Sequence, residues 1–181
     1  MQSRLSPLAL IIALLLAFGV IAVACDGSSG GGGEPLTLDE YFQRLEALSV
    51  EAVERSEALG EDIAEETSST LSEEERLEVI RKFLDATLPI TEDFVDRIRD
   101  LNPPTEIEDE HNRALEAHAD VLSVLTEYLN EHPEVESESE LQALFTNPAF
   151  ERFVAACFAL QDIADENSID VDRDCEDGGE L

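Results

Sequence analysis

Tryptophan is absent from this chain and tyrosine occurs only twice, so the aromatic platforms on which sugars and bases stack are scarce. The one methionine is Met1, and no Cys-x-x-Cys or Cys-x-x-Cys-His occurs, which removes the usual marks of a dithiol redox site and of covalent haem. Positive charge is the third shortage. Lys82 is the single lysine, and 11 Lys and Arg face 43 Asp and Glu. No basic cluster exists to neutralise phosphates, so nucleic acid is excluded as a partner. An anionic bilayer would repel such a surface as well. Gly-x-Ser-x-Gly, His-Glu-x-x-His and Ser-x-x-Lys are all missing, and carboxylates are too abundant for any pair to stand out. The expectation is a protein without catalysis and without a cofactor.

What the chain does have begins at Leu8. Leu8 to Cys25 is an uncharged apolar run, preceded by Arg4 and closed by the small residues Ala22, Val23 and Ala24 before Cys25. This is the form of a secretory signal with a cleavage site. Because a cysteine comes directly after the cut, the segment resembles a bacterial lipoprotein signal, although Ala22 stands where that family prefers Leu. The resemblance covers the first 25 residues and implies that Cys25 is lipidated and becomes the mature N-terminus. Two other readings stay open: an ordinary secretory signal cut near Ala24, and an uncleaved anchor, since Leu5 to Ala24 is long enough to span a bilayer. All three export the rest of the chain. Loss of the signal removes only Arg4, leaving 10 basic against 43 acidic side chains and a formal charge of −33. Such a field attracts cationic partners, and it is also what a solvated acidic surface looks like.

The organisation expected is a signal over 1–24, a lipidated cysteine and Gly/Ser linker over 25–36, a helical domain over 37–176 and an acidic end over 177–181. Asp26 to Pro35 is a flexible tether. From Leu36 the apolar period is helical. Thr37 with Glu40 forms a capping box before a helix that runs to about Glu66. Ser72 caps a second, which carries Pro89 in its middle and stops at Asn102-Pro103-Pro104. A third runs from Pro104 or Thr105 to His132. The fourth begins near Ser137 or Ser139 and restarts at Asn147-Pro148. Four segments of about 29 residues with short links predict an all-α fold, an up-and-down antiparallel four-helix bundle, monomeric and about 40 Å long. In an oxidising compartment Cys157 and Cys175 are an even pair, which predicts a disulfide pinning the C-terminal tail as Ile169 and Val171 pack back on the helices.

Two histidines fall on the apolar face of the third helix. His111 and His118 lie seven residues apart, about 10.5 Å along the axis, too far to share one metal ion directly. Pairing the second and third helices about residues 102 and 103 sets His118 opposite Thr87, where its imidazole would meet the carbonyl of Asp85 that Pro89 leaves without a donor. His118, His111 and Thr87 are therefore the candidate buried polar site, read first as structural and second as metal- or proton-handling. Asp170, Asp172 and Asp174 alternate in a stretch whose start resembles the calcium loops of EF-hand modules. Cys175 stands where the turn glycine belongs and Leu181 where the closing glutamate belongs. The resemblance implies a divalent-cation site, and the plainer reading is a solvated acidic tail. The functional expectation is a binding or interaction module held at the cell envelope by a lipid, with a cationic or protein partner; the alternative is a divalent-cation-binding envelope protein.

Overall fold

Caps written into the sequence set where each helix starts. In a computed structural model that describes residues 34–65, 71–135 and 137–171, every regular element among the described residues is helical. The elements are α1 Leu38–Glu65, α2 Glu73–Arg99, a 3₁₀ turn Thr105–Ile107, α3 Glu108–Glu131, α4 Glu138–Phe145 and α5 Pro148–Glu166. At the start of α1 the Thr37 amide donates to Glu40 Oε2 at 3.0 Å while the Glu40 amide donates to Thr37 Oγ1 at 3.3 Å. The same reciprocal box opens α2, with Ser72 N–H on Glu75 Oε2 at 2.7 Å and Glu75 N–H on Ser72 Oγ at 3.3 Å. Backbone amides left over at a helix start are thereby satisfied. These bonds hold the carboxyls of Glu40 and Glu75 below the usual range. Asn147 Oδ1 accepts from the Ala149 amide at 3.0 Å and Pro148 takes the first helical position.

The expected restart at Asn147 is a complete break, so the fourth segment is a helix of 8 residues followed by one of 19 rather than one of about 29. Between α2 and α3 the chain does not turn at once. Pro103 and Pro104 cannot donate, and the next hydrogen bond is the 3₁₀ bond from Ile107 N–H to Pro104 O at 3.1 Å.

Side-chain pairs give the direction of each neighbour. Arg97 meets Glu51 at 2.6 Å and Arg55 meets Asp93 at 2.5 Å, so α1 and α2 run antiparallel. All four of these side chains are nearly half exposed, and such pairs fix register more than they stabilise. Arg81 of α2 reaches the far end of α3, donating from Nε to His132 O at 3.1 Å and from Nη2 to Leu129 O at 3.2 Å, where helical carbonyls lack intrahelical donors. Arg152 of α5 meets Asp120 of α3 at 2.6 Å. Leu36 N–H donates to Asn102 O at 3.0 Å and seats the entry to α1 beside the exit from α2.

The apolar faces gather into two cores. A proximal core, at the end where α1 begins, joins Tyr41, Phe42, Leu45, Phe94, Ile98 and Ile107 to Leu160, Ala164 and Val171. A distal core joins Leu77, Ile80, Phe83 and Leu84 to Leu125, Leu129, Leu141 and Leu144. Val171 is buried and Ile169 packs on the proximal core, its amide on Ala164 O at 2.9 Å, so the chain does turn back after α5 as the apolar residues of the tail predict. Ser168, at φ 56°, makes that reversal. None of the described helices is long and apolar enough to cross a membrane.

Candidate functional site

The polar groups that sequence reasoning singled out lie along the inside of the helices, between and within the two cores. His111 comes from the first turn of α3 and is buried inside the proximal core. Its Nδ1 lies 3.0 Å from the hydroxyl of Tyr41, which is itself wholly buried, and the two rings meet edge to face at 5.7 Å. Burial pushes the His111 pKa below its ordinary value, and Glu108, one turn earlier, offsets part of that shift. Either the phenol donates to a bare Nδ1 or an Nδ1–H donates to the phenol oxygen, according to the tautomer of the ring.

His118 has a defined tautomer. Its Nδ1 is 2.7 Å from Ala114 O; a carbonyl can only accept, so the proton is on Nδ1. The ring packs edge-on against Phe153 at 4.8 Å and tilted against Phe94 at 5.6 Å. The pairing expected with Thr87 is therefore corrected. His118 faces Phe94, two turns nearer the end of α2, and its Nδ1 bonds its own helix rather than the Asp85 carbonyl. The cause is the 3₁₀ turn and the two prolines before it: these residues lengthen the link and slide α3 along α2 from the register that a hinge at 102 and 103 would give. Thr87 is buried as expected, but its hydroxyl goes to Phe83 O and Leu84 O, each at 3.0 Å, and the Thr91 hydroxyl goes to Thr87 O at 3.1 Å. Ser49 likewise bonds back to Leu45 O at 2.9 Å. Each of these hydroxyls bonds back to a carbonyl of its own helix.

His111, His118 and Thr87 thus do not form one site. His118 instead lines a cavity of about 20 Å³ between α1, α2, α3 and α5, to whose wall Tyr41, Ser49, Phe94, Phe153 and Cys157 also contribute. That volume holds on the order of one water molecule, and no organic ligand enters it without the helices parting. A second concavity is a shallow, open trough along the outer face of α3, from Ala119 to Glu131.

Cys157 is buried on α5 beside this cavity. Its expected partner Cys175, the lipidation candidate Cys25, and Asp172 and Asp174 of the proposed cation cluster lie outside the described residues. Asp170 is exposed at the start of the returning tail. Among the described residues no group of three or more His, Cys, Asp or Glu is arranged to hold a metal ion.

Three features escaped the sequence. The Tyr41 partner of His111 is 70 residues away, and nothing local links the two. Arg81 as a cover for the end of α3 reads in the sequence only as a charge on a helix. Tyr128, on the inward face of α3, has its ring stacked on His132 at 4.7 Å and its buried hydroxyl has no hydrogen-bond partner among the described residues. An inward-facing tyrosine was the available signal in two of these cases, since a buried phenol asks for a partner.

No family model, no curated protein and no solved structure matches this chain.

Proposed function

We propose that the chain is an exported lipoprotein, held by lipid on Cys25 to a bacterial membrane through a flexible Gly/Ser tether, and that it is a non-catalytic binding or interaction module of the cell envelope. In this reading the helices form an up-and-down four-helix bundle, a monomer, whose tail is pinned by a Cys157–Cys175 disulfide. The antiparallel neighbours α1 with α2, α2 with α3 and α3 with α5 support the bundle, and the burial of Val171, four residues before Cys175, supports the returning tail.

The observation that carries the non-catalytic reading is the use made of the imidazoles. His111 is committed to Tyr41 inside a core, His118 Nδ1 to a carbonyl of its own helix, and His132 to the face of Tyr128. Groups that could move protons for a substrate are engaged in contacts within the fold instead. The formal charge of −33 left after signal removal favours a cationic partner.

Incorporation of labelled palmitate into the full chain, and its loss in Cys25→Ala, tests the anchor. Native mass spectrometry of the full chain, with and without calcium, tests the rest. The reading expects a mass lower by two hydrogens, for the disulfide, and no stoichiometric calcium. One bound calcium that disappears in Asp172→Ala would replace it with the cation-binding alternative.

A further inference from the structure

We infer that the Tyr41–His111 pair is an acid-sensitive latch: it holds the start of α1 against α3 while the imidazole is neutral and releases it when His111 is protonated. The geometry is that of a polar contact set inside an apolar core. Tyr41 is fully buried and His111 nearly so, and their 3.0 Å hydrogen bond crosses from one helix to another, whereas Ser49, Thr87 and His118 bond carbonyls of their own helices. Protonation leaves Nδ1 able only to donate, so the phenol must accept, and it places a cation in surroundings that solvate it poorly.

The core around Tyr41, the partner of the imidazole, is apolar. Tyr41 comes from α1, and Glu108, on the same helix as His111, is the charged residue that acts on it. From α2, α5 and the returning tail the core brings Ile98, Leu160, Ala164 and Val171, all apolar. Glu108 favours the imidazolium and burial opposes it, and burial is the larger effect. The folded-state pKa therefore lies below the unfolded value of 6.5. The contribution to stability is complete above that value and is lost as pH falls from it toward the folded pKa, because the opened state binds the extra proton. The entry to α1 is tied as well by the backbone bond from Leu36 to Asn102, at the same end of the molecule, so opening here frees the end nearest the Gly/Ser tether without disturbing the distal core.

Hydrogen exchange of the full chain at pH 7 and pH 5, corrected for intrinsic rates, tests this. Amides of residues 38–48 are expected to open more often at the lower pH, by up to about tenfold per pH unit, the limit for one linked proton. Amides of residues 77–84 and 125–129 are expected to keep their protection. His111→Gln, which keeps an acceptor for Tyr41, should abolish the acid response. Glu108→Gln, an exposed change, removes the charge that favours the imidazolium, so its response between pH 7 and pH 5, taken against its own pH 7 rates, should be at least as large, and this variant decides the matter if His111→Gln fails to fold. Acceleration spread evenly over both cores, survival of the response in His111→Gln, or a weaker response in Glu108→Gln would each overturn the latch.

Discussion

The proximal and distal cores are of similar size but are assembled from different spans of the chain. The buried distal residues run from Leu77 to Leu144, on α2, α3, the short α4 and the link before it, with Leu59 and Ile63 of α1 and Phe150 of α5 packed against their edge. The proximal core joins Tyr41 to Val171, near the two ends of the described chain. Contacts between distant segments require a long loop to close before they contribute, so the buried part of the distal core closes shorter loops than the proximal core, which needs both ends to dock. Chemistry follows the same division. The distal core is almost entirely aliphatic and aromatic and is covered at one end by Arg81, while the proximal core holds the paired tyrosine and histidine. The end at which α1 begins is thus the end that depends on long-range closure and on a titratable contact.

The largest expected effect breaks the proximal core. Phe42 is wholly buried, and Phe42→Ala should cost about 3–5 kcal/mol, the loss of a buried ring plus the cavity left behind. Urea denaturation gives the magnitude, and hydrogen exchange gives the location. Protection should fall across residues 38–48 while the distal amides persist; a single loss over both cores would make them one cooperative unit and end the distinction between them.

Next in size is Tyr41→Phe. Removing the hydroxyl leaves His111 Nδ1 buried without its partner, at a cost of about 1–3 kcal/mol at pH 7. Thermal unfolding of the variant, followed by near-ultraviolet absorbance or circular dichroism, checks it. A neutral result would mean that the pair does not hold α1. Smaller again is Ser72→Ala, which opens the capping box at the start of α2, on the distal side, for about 1 kcal/mol. Its effect should appear in the distal amides first, the reverse of Phe42→Ala.

Local features of this fold were legible and distant ones were not. Thr37 with Glu40, Ser72 with its acids, and Asn147 with Pro148 each signal a helix start within four residues, and the chain starts helices at all three. The return of Ile169 and Val171 was also legible, because apolar residues in an acidic tail have a reason to pack only if a core is within reach. The register of α3 on α2 was not. A 3₁₀ turn over Thr105–Ile107 depends on how the Pro103-Pro104 link meets the end of α2, and it displaced His118 from Thr87 to Phe94. His111 was picked out as an inward polar residue, yet its partner could not be named, since the contact with Tyr41 exists only once α1 and α3 are side by side. Cys175 and two of the three alternating aspartates fall outside the described residues, so the structure adds nothing to what their spacing implies.

The smallest expected effect is also the one that reverses sign. This chain has two tyrosines, one in each core, and they are a matched pair for testing what a buried phenol contributes. Tyr41 has its hydroxyl on His111, whereas the Tyr128 hydroxyl is buried with no hydrogen-bond partner among the described residues, and burial raises its pKa. A buried donor without an acceptor opposes folding, because water solvates it in the unfolded chain. Tyr128→Phe keeps the ring that stacks on His132 and removes only the unsatisfied oxygen. Stability should therefore stay level or rise by up to about 1 kcal/mol, where the same substitution at Tyr41 lowers it. Parallel urea curves for the two variants measure the difference directly. Equal losses at both positions would mean that Tyr128 holds a hydrogen bond in solution as Tyr41 does, and the contrast between a polar proximal core and an apolar distal one would then fail.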